Sequence, residues 1–111
     1  MGDVVMNSRE IMKIMEDFDK ESGGRLLGVF CGHEHRDRVD ETRSFPIVAT
    51  GASKLEDKAR DPLHTGQFTR IRHTPTQELF DVVVVRKKEG GFRAFRYGAG
   101  EDREVFREVE W

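Results

Sequence analysis

Residues 29–39 read VFCGHEHRDRV. A short apolar run ends at Gly32, and two histidines, His33 and His35, follow with one residue between them. The run leading into them, RLLGVFC (25–31), is short, mostly apolar and bounded by glycines. That pattern predicts a strand buried on both faces, of the kind found in α/β sheets. On a straight strand, residues two apart share a face. Just past the strand, on a loop opened by Gly32, the two imidazoles can splay toward different atoms. Neutral imidazole is a common ligand for zinc and also serves manganese and iron. By itself His-x-His also describes a polar loop with two solvated histidines. Glu34, Asp37 and Asp40 close by add weight to the metal reading.

Upstream, NSREIMKIMEDF (7–18) places Ile11, Ile14, Met15 and Phe18 at i, i+3, i+4, i+7, which predicts an amphipathic helix. Asn7 followed by Glu10 makes a capping-box arrangement, and Gly23-Gly24 supply the stop. The Met and Phe stripe is expected to pack in the core, and the helix and the buried strand form an αβ unit. Downstream, SFPIVATGA (44–52) predicts a second strand, with Pro46 near its start, where a missing N–H is tolerated. Residues 53–77 have few apolar residues, two prolines and many charges, and are expected to form a long polar excursion. ELFDVVVVRKK (78–88) has the clearest strand composition of the chain. EGG then turns it into FRAFRYG, an antiparallel hairpin. In the final REVFREVEW, Val105, Val109 and Trp111 alternate with polar positions and suit an edge strand.

The 111 residues fit one domain, 1–111, with the excursion inside it. The chain is 36% apolar and 36% charged, against about 25% charged in an average globular domain. Much of it must therefore be solvated surface around a modest core. A net charge of −2 argues against a nucleic-acid partner held by bulk electrostatics. The dense run Arg86-Lys87-Lys88 precedes a turn and reads as a solvated hairpin end. One cysteine, Cys31, forbids an intrachain disulfide and fits a reducing compartment. No apolar stretch approaches the roughly 18 residues of a membrane span. MGDVVMNSRE lacks the basic and apolar regions of a secretory signal, and Met6 stands where myristoylation needs Ser or Thr. A cytoplasmic protein without membrane contact is expected.

GVFCGHEHRDRV (28–39) resembles the last metal-binding motif, Gly-His-x-His, of the calcineurin-like metallophosphoesterases, which there also follows a buried strand. FPIVATGA (45–52) resembles the strand after that motif. ELFDVVVVRKKEGGFRAFRYGAGEDREVF (78–106) is similar to the carboxy-terminal hairpin of bacterial members, including its RYGAGEDR ending. The resemblance covers nearly the whole chain from the helix onward. It implies a partial αββα sandwich of α/β (α+β) class, with one helix, a buried strand and then mostly antiparallel strands. It also implies that His33 and His35 are ligands in a two-metal site, one imidazole per ion, with Gly32 letting the backbone present both rings. Two divalent ions of manganese, zinc or iron would clamp a phosphoester, neutralise developing charge and supply a bridging hydroxide.

The family's other motifs, Asp-x-His, Gly-Asp-x-x-Asp, Gly-Asn-His-Asp/Glu and a lone His before the last helix, do not occur in these residues. Gly2-Asp3 is followed by VVM, and His64 and His73 lie after the motif, in the excursion, as ordinary loop histidines. The chain is thus expected to correspond to the carboxy-terminal portion of such a fold and to lack phosphoesterase activity by itself. The alternative is a non-catalytic module derived from the family. A half-sandwich exposes a sheet face and strand edges, so a homo-oligomer, most simply a dimer, is expected. Paired His-x-His motifs from two chains could then share one zinc-like ion. A third possibility makes Cys31 a nucleophile with His33 or His35 as base, against the simpler reading of a small buried hydrophobe.

Overall fold

A computed structural model describes residues 7–53, 67–109 and 111. Within them the chain is mixed α+β, with one helix and two small sheets. Helix α1 spans Ser8–Glu21 and ends as the sequence predicts, with Gly23 and Gly24 both at positive φ. Asn7 occupies the N-cap position, but its side chain makes no cap bond, because ψ near 29° takes it out of the extended conformation that capping needs. Its carbonyl instead accepts the Ile11 N–H at 3.1 Å.

Strands β1 (Val29–Cys31), β2 (Arg38–Asp40) and β3 (Ile47–Ala49) form the first sheet in the order β1-β3-β2. β1 runs parallel to β3, and β2 antiparallel to it. The central strand β3 is wholly buried, and Pro46, just ahead of it, uses its carbonyl to accept the Val29 N–H. β1 is only half covered: Val29 and Cys31 are intermediate and Phe30 is exposed. β2 was not foreseen from the sequence, because Arg38-Val39-Asp40 carries a single apolar residue between charges.

Strands β4 (Leu79–Arg86), β5 (Gly91–Gly98) and β6 (Arg103–Phe106) form the second sheet, fully antiparallel and in sequence order. β4 and β5 pair without interruption from Leu79↔Gly98 to Arg86↔Gly91. This is the expected hairpin, and β6 is the first part of the expected edge, which ends at Phe106 and leaves Val109 and Trp111 outside the strand. The two sheets meet through Val48, Phe92 and Val105, and Phe30 packs on Phe92 with ring centroids 4.9 Å apart. Burying aliphatic and aromatic side chains of this size contributes roughly 1.5–3 kcal/mol each. Gly28 is tight here, since a Cβ would approach Phe92 to 3.0 Å.

The helix is tied to the second sheet by a buried ion pair. Both Asp19 carboxylate oxygens accept from Arg107, at 2.9 and 3.0 Å, and Asp19 also accepts the Leu26 N–H. The expected core packing of the helix stripe is not seen: Ile14 is 68% and Phe18 51% exposed. Periodicity identifies an apolar face but not what covers it, and within the described residues only Met15 of the stripe is half-buried. Trp111 lies under two cations, Arg25 from the α1–β1 connection and Lys87 from the β4–β5 turn, each 5.3 Å from the ring centroid.

Of the polar excursion, residues 54–66 lie outside the described residues, and His64 with them. Residues 67–77 fold around Arg70, whose guanidinium donates to the carbonyls of Ala52, Ser53 and Thr76. A 3-10 turn at Pro75–Gln77 leads into β4. His73 is exposed, at positive φ, with its N–H on the Gln77 side chain.

Candidate functional site

The Gly-His-x-His loop leaves the carboxyl end of β1, the strand that pairs in parallel with β3. In open sheets with parallel strands, ligand sites gather at carboxyl ends. The tight turn expected at Gly32 is made by the histidines themselves: φ is 83° at His33 and 58° at His35, whereas Gly32 is not at positive φ and has open space around it. Non-glycine residues in the left-handed region are uncommon, histidine being among the more tolerant, and they persist where surrounding structure holds them. His33 is exposed and His35 half-buried, so both rings stand near solvent.

What holds the loop is Asp37, two residues on. Its Oδ1 accepts the Gly51 N–H at 2.9 Å. Its main chain is clamped by Gln67, which accepts from the Asp37 N–H at 2.6 Å and donates to the Asp37 carbonyl at 3.0 Å. Its carboxylate receives both terminal nitrogens of Arg96 at 2.8 Å, a bidentate pair. Arg96 Nε donates to Asp81 Oδ1 at 2.8 Å, and Arg103 donates to Asp81 Oδ2. Thr50 also donates to Asp81, and Arg103 donates to the Ala49 carbonyl at 3.2 Å. Two carboxylates and two guanidiniums thus bind the histidine loop and β3 to all three strands of the second sheet. Arg96 and Asp81 are almost fully enclosed, with side chains 1% and 7% exposed.

The electrostatics follow from that enclosure. Burial pushes the Asp81 carboxyl up, but the Arg96 hydrogen bond and the charges of Arg103 and Arg96 outweigh it and hold the group below the usual range. Arg96 is pulled down by burial and up, more strongly, by Asp37 and Asp81, so it stays charged. Arg103 Nε is the one enclosed side-chain polar atom without a hydrogen-bond partner among the described residues.

Sequence reasoning named Asp37 only as a nearby carboxylate and did not assign Asp81, Arg96 or Arg103. The signal was present: Arg96 shares an inward face with Phe92 and Ala94 by period two, and Asp81 shares one with Leu79. A charge at an inward position needs a partner, and Asp81 and Arg96 are direct cross-strand neighbours. Asp40 serves its own turn, accepting from the Thr42 hydroxyl and N–H, which lower its carboxyl.

Among the described residues, no three His, Cys, Asp or Glu side chains converge as a group able to hold a metal ion. A two-metal phosphoesterase centre needs more donors than His33 and His35 provide, so these residues do not build one by themselves. Burial, followed by the Glu34 charge, raises the Cys31 thiol, which works against a nucleophilic thiolate at that position. An open groove of about 860 Å³ lies elsewhere, between the end of α1 and the tail after β6. No helix among the described residues is long and apolar enough to cross a membrane. No family model, no curated protein and no solved structure gives a significant match to this chain.

Proposed function

We propose that the chain carries the carboxy-terminal part of a metal-dependent phosphoesterase, to which His33 and His35 contribute imidazole ligands. The observation that supports this reading best is how the two histidines are presented. They sit on a loop at the carboxyl end of a parallel-paired strand, both in left-handed backbone, with the far end of the loop locked by Asp37. Two left-handed residues two apart turn the chain sharply at the strand end and hold both imidazoles in one short loop. The elements that follow, β2 aside, are a strand, a polar segment, a long hairpin and a short tail strand, and that order supports the resemblance. The remaining donors must come from other residues or another chain, so the 111-residue chain alone is inactive toward phosphate esters. Manganese, zinc and iron are the ions that suit such a ligand set.

The test is metal content after loading with manganese or zinc and exhaustive dialysis, on wild type and on the His33→Ala/His35→Ala variant. The reading predicts about half an ion per chain through imidazoles shared between chains, since four such ligands satisfy one zinc-like ion. That metal should disappear in the variant, and hydrolysis of p-nitrophenyl phosphate should be absent from both. Retained metal that ignores the double substitution would remove the histidines from the site. Two ions per chain with turnover would overturn the claim of inactivity.

A second reading, a non-catalytic assembly module derived from the same family, draws on the exposed apolar stripe of α1 and the exposed valines of β4. The coding region upstream discriminates between the two: Asp-x-His and Gly-Asn-His-Asp patterns there favour the enzyme.

A further inference from the structure

β4 is an edge strand, and among the described residues no strand pairs with its outer side. It is eight residues long, contains no proline and runs in unbroken register with β5. Its four consecutive valines, Val82 to Val85, are between 39% and 61% exposed, so both faces of the strand are apolar and open. Natural edges are blunted by short length, proline, bulges, a covering segment or an inward-pointing charge. Only the last is visible here, and the charge of Asp81 is already neutralised by Arg96 and Arg103.

We infer that β4 is a dimerisation edge: two copies of this chain pair antiparallel along it about a two-fold axis at Val82, joining two three-stranded sheets into one of six. The hydrogen-bond parity fits such a pairing. The Ala99 N–H donates to the Glu78 carbonyl, and the Arg107 N–H to that of Gly90. In an antiparallel ladder, residues alternate in which neighbour their backbone groups face. Even-numbered residues of β4 therefore face β5, and Asp81, Val83 and Val85 turn their N–H and C=O groups to the open side. An axis at Val82 sets Asp81 of one copy opposite Val83 of the other and completes that ladder.

The same register sets Phe80 opposite Val84 and Leu79 opposite Val85, and brings Glu78 opposite Arg86 at both ends. No like charges meet. Moving the axis to Val83 sets Arg86 against Phe80 and loses the charge pairing within the strand. Edge pairing of two eight-residue strands is a small contact beside the about 1,200–2,000 Å² typical of stable interfaces, so the dimer is weak and concentration-dependent.

Sedimentation equilibrium up to about 100 μM, in chelator-containing buffer so that metal plays no part, tests the pairing. Glu78→Arg and Arg86→Glu, both at exposed positions, are each expected to weaken the dimer roughly tenfold, because each change breaks two symmetry-related pairs and opposes like charges. The double variant is expected to recover wild-type association. Val83→Lys, which places a charge on the open edge, should abolish association while circular dichroism still shows the fold. A wild-type monomer throughout, indifference to both single charge changes, or a double variant no stronger than the singles would overturn the proposal.

Discussion

His33 and His35 hold backbone conformations that cost an L residue roughly 1–2 kcal/mol and a glycine much less. If imidazole chemistry keeps histidine there, the backbone itself should prefer glycine. His33→Gly is expected to exceed His33→Ala in stability by about 1 kcal/mol, and likewise at His35, because both variants lose the ring and only one relieves the strain. Thermal melting of the four variants checks this. Arg96 sets the opposite expectation. Truncating it leaves Asp37 and Asp81 enclosed without their shared counter-charge, so Arg96→Ala should cost about 3–5 kcal/mol. Arg96→Lys should recover little of that loss, since an ammonium cannot reproduce the two-oxygen contact to Asp37 together with the Nε contact to Asp81. Urea denaturation of the two variants separates lost charge from lost geometry.

At the scale of elements, the second sheet depends on close backbone approach at two glycines of β5. A Cβ at Gly91 would meet the Val105 carbonyl and the Phe106 backbone, and one at Gly98, already at positive φ, would meet the Glu78 carbonyl. Gly91→Ala and Gly98→Ala are therefore each expected to cost more than about 1 kcal/mol, with Gly91→Ala loosening β6 first. Amide exchange along β6 measures that loosening. The β4–β5 hairpin was legible because a β-branched run and an EGG turn carry their own local preference. β2 was not, because its pairing depends on β3 lying beside it rather than on anything in Arg38-Val39-Asp40. The helix was legible in position and period, yet the side facing water was not, since an apolar stripe says only that some partner suits it. The histidine loop was found from its motif. The charge network beneath it was visible only as Asp81 and Arg96 at inward positions of their strands, and register was needed to bring them together.

For the whole molecule, the same network couples stability to pH. The Asp81 carboxyl sits lower in the folded chain than its ordinary value of about 3.9, so its contribution is complete above that value and is lost as pH falls through the depressed one. The unfolding free energy is thus expected to hold from neutral pH down to about 4.5 and to fall steeply below 4. Asp81→Asn should be less stable at neutral pH and show a shallower acid limb. Denaturant curves at a series of pH values give both quantities.

The chain has one tryptophan, and Trp111 rests beneath Arg25 and Lys87, which belong to segments distant in sequence. Its indole is therefore a ready optical gauge of whether the β4–β5 turn and the connection from helix to first strand remain together. Excited at the red edge, the protein emits from a single known place. A shift in that emission before the far-ultraviolet signal moves would time the parting of the two segments ahead of global unfolding, without any label attached.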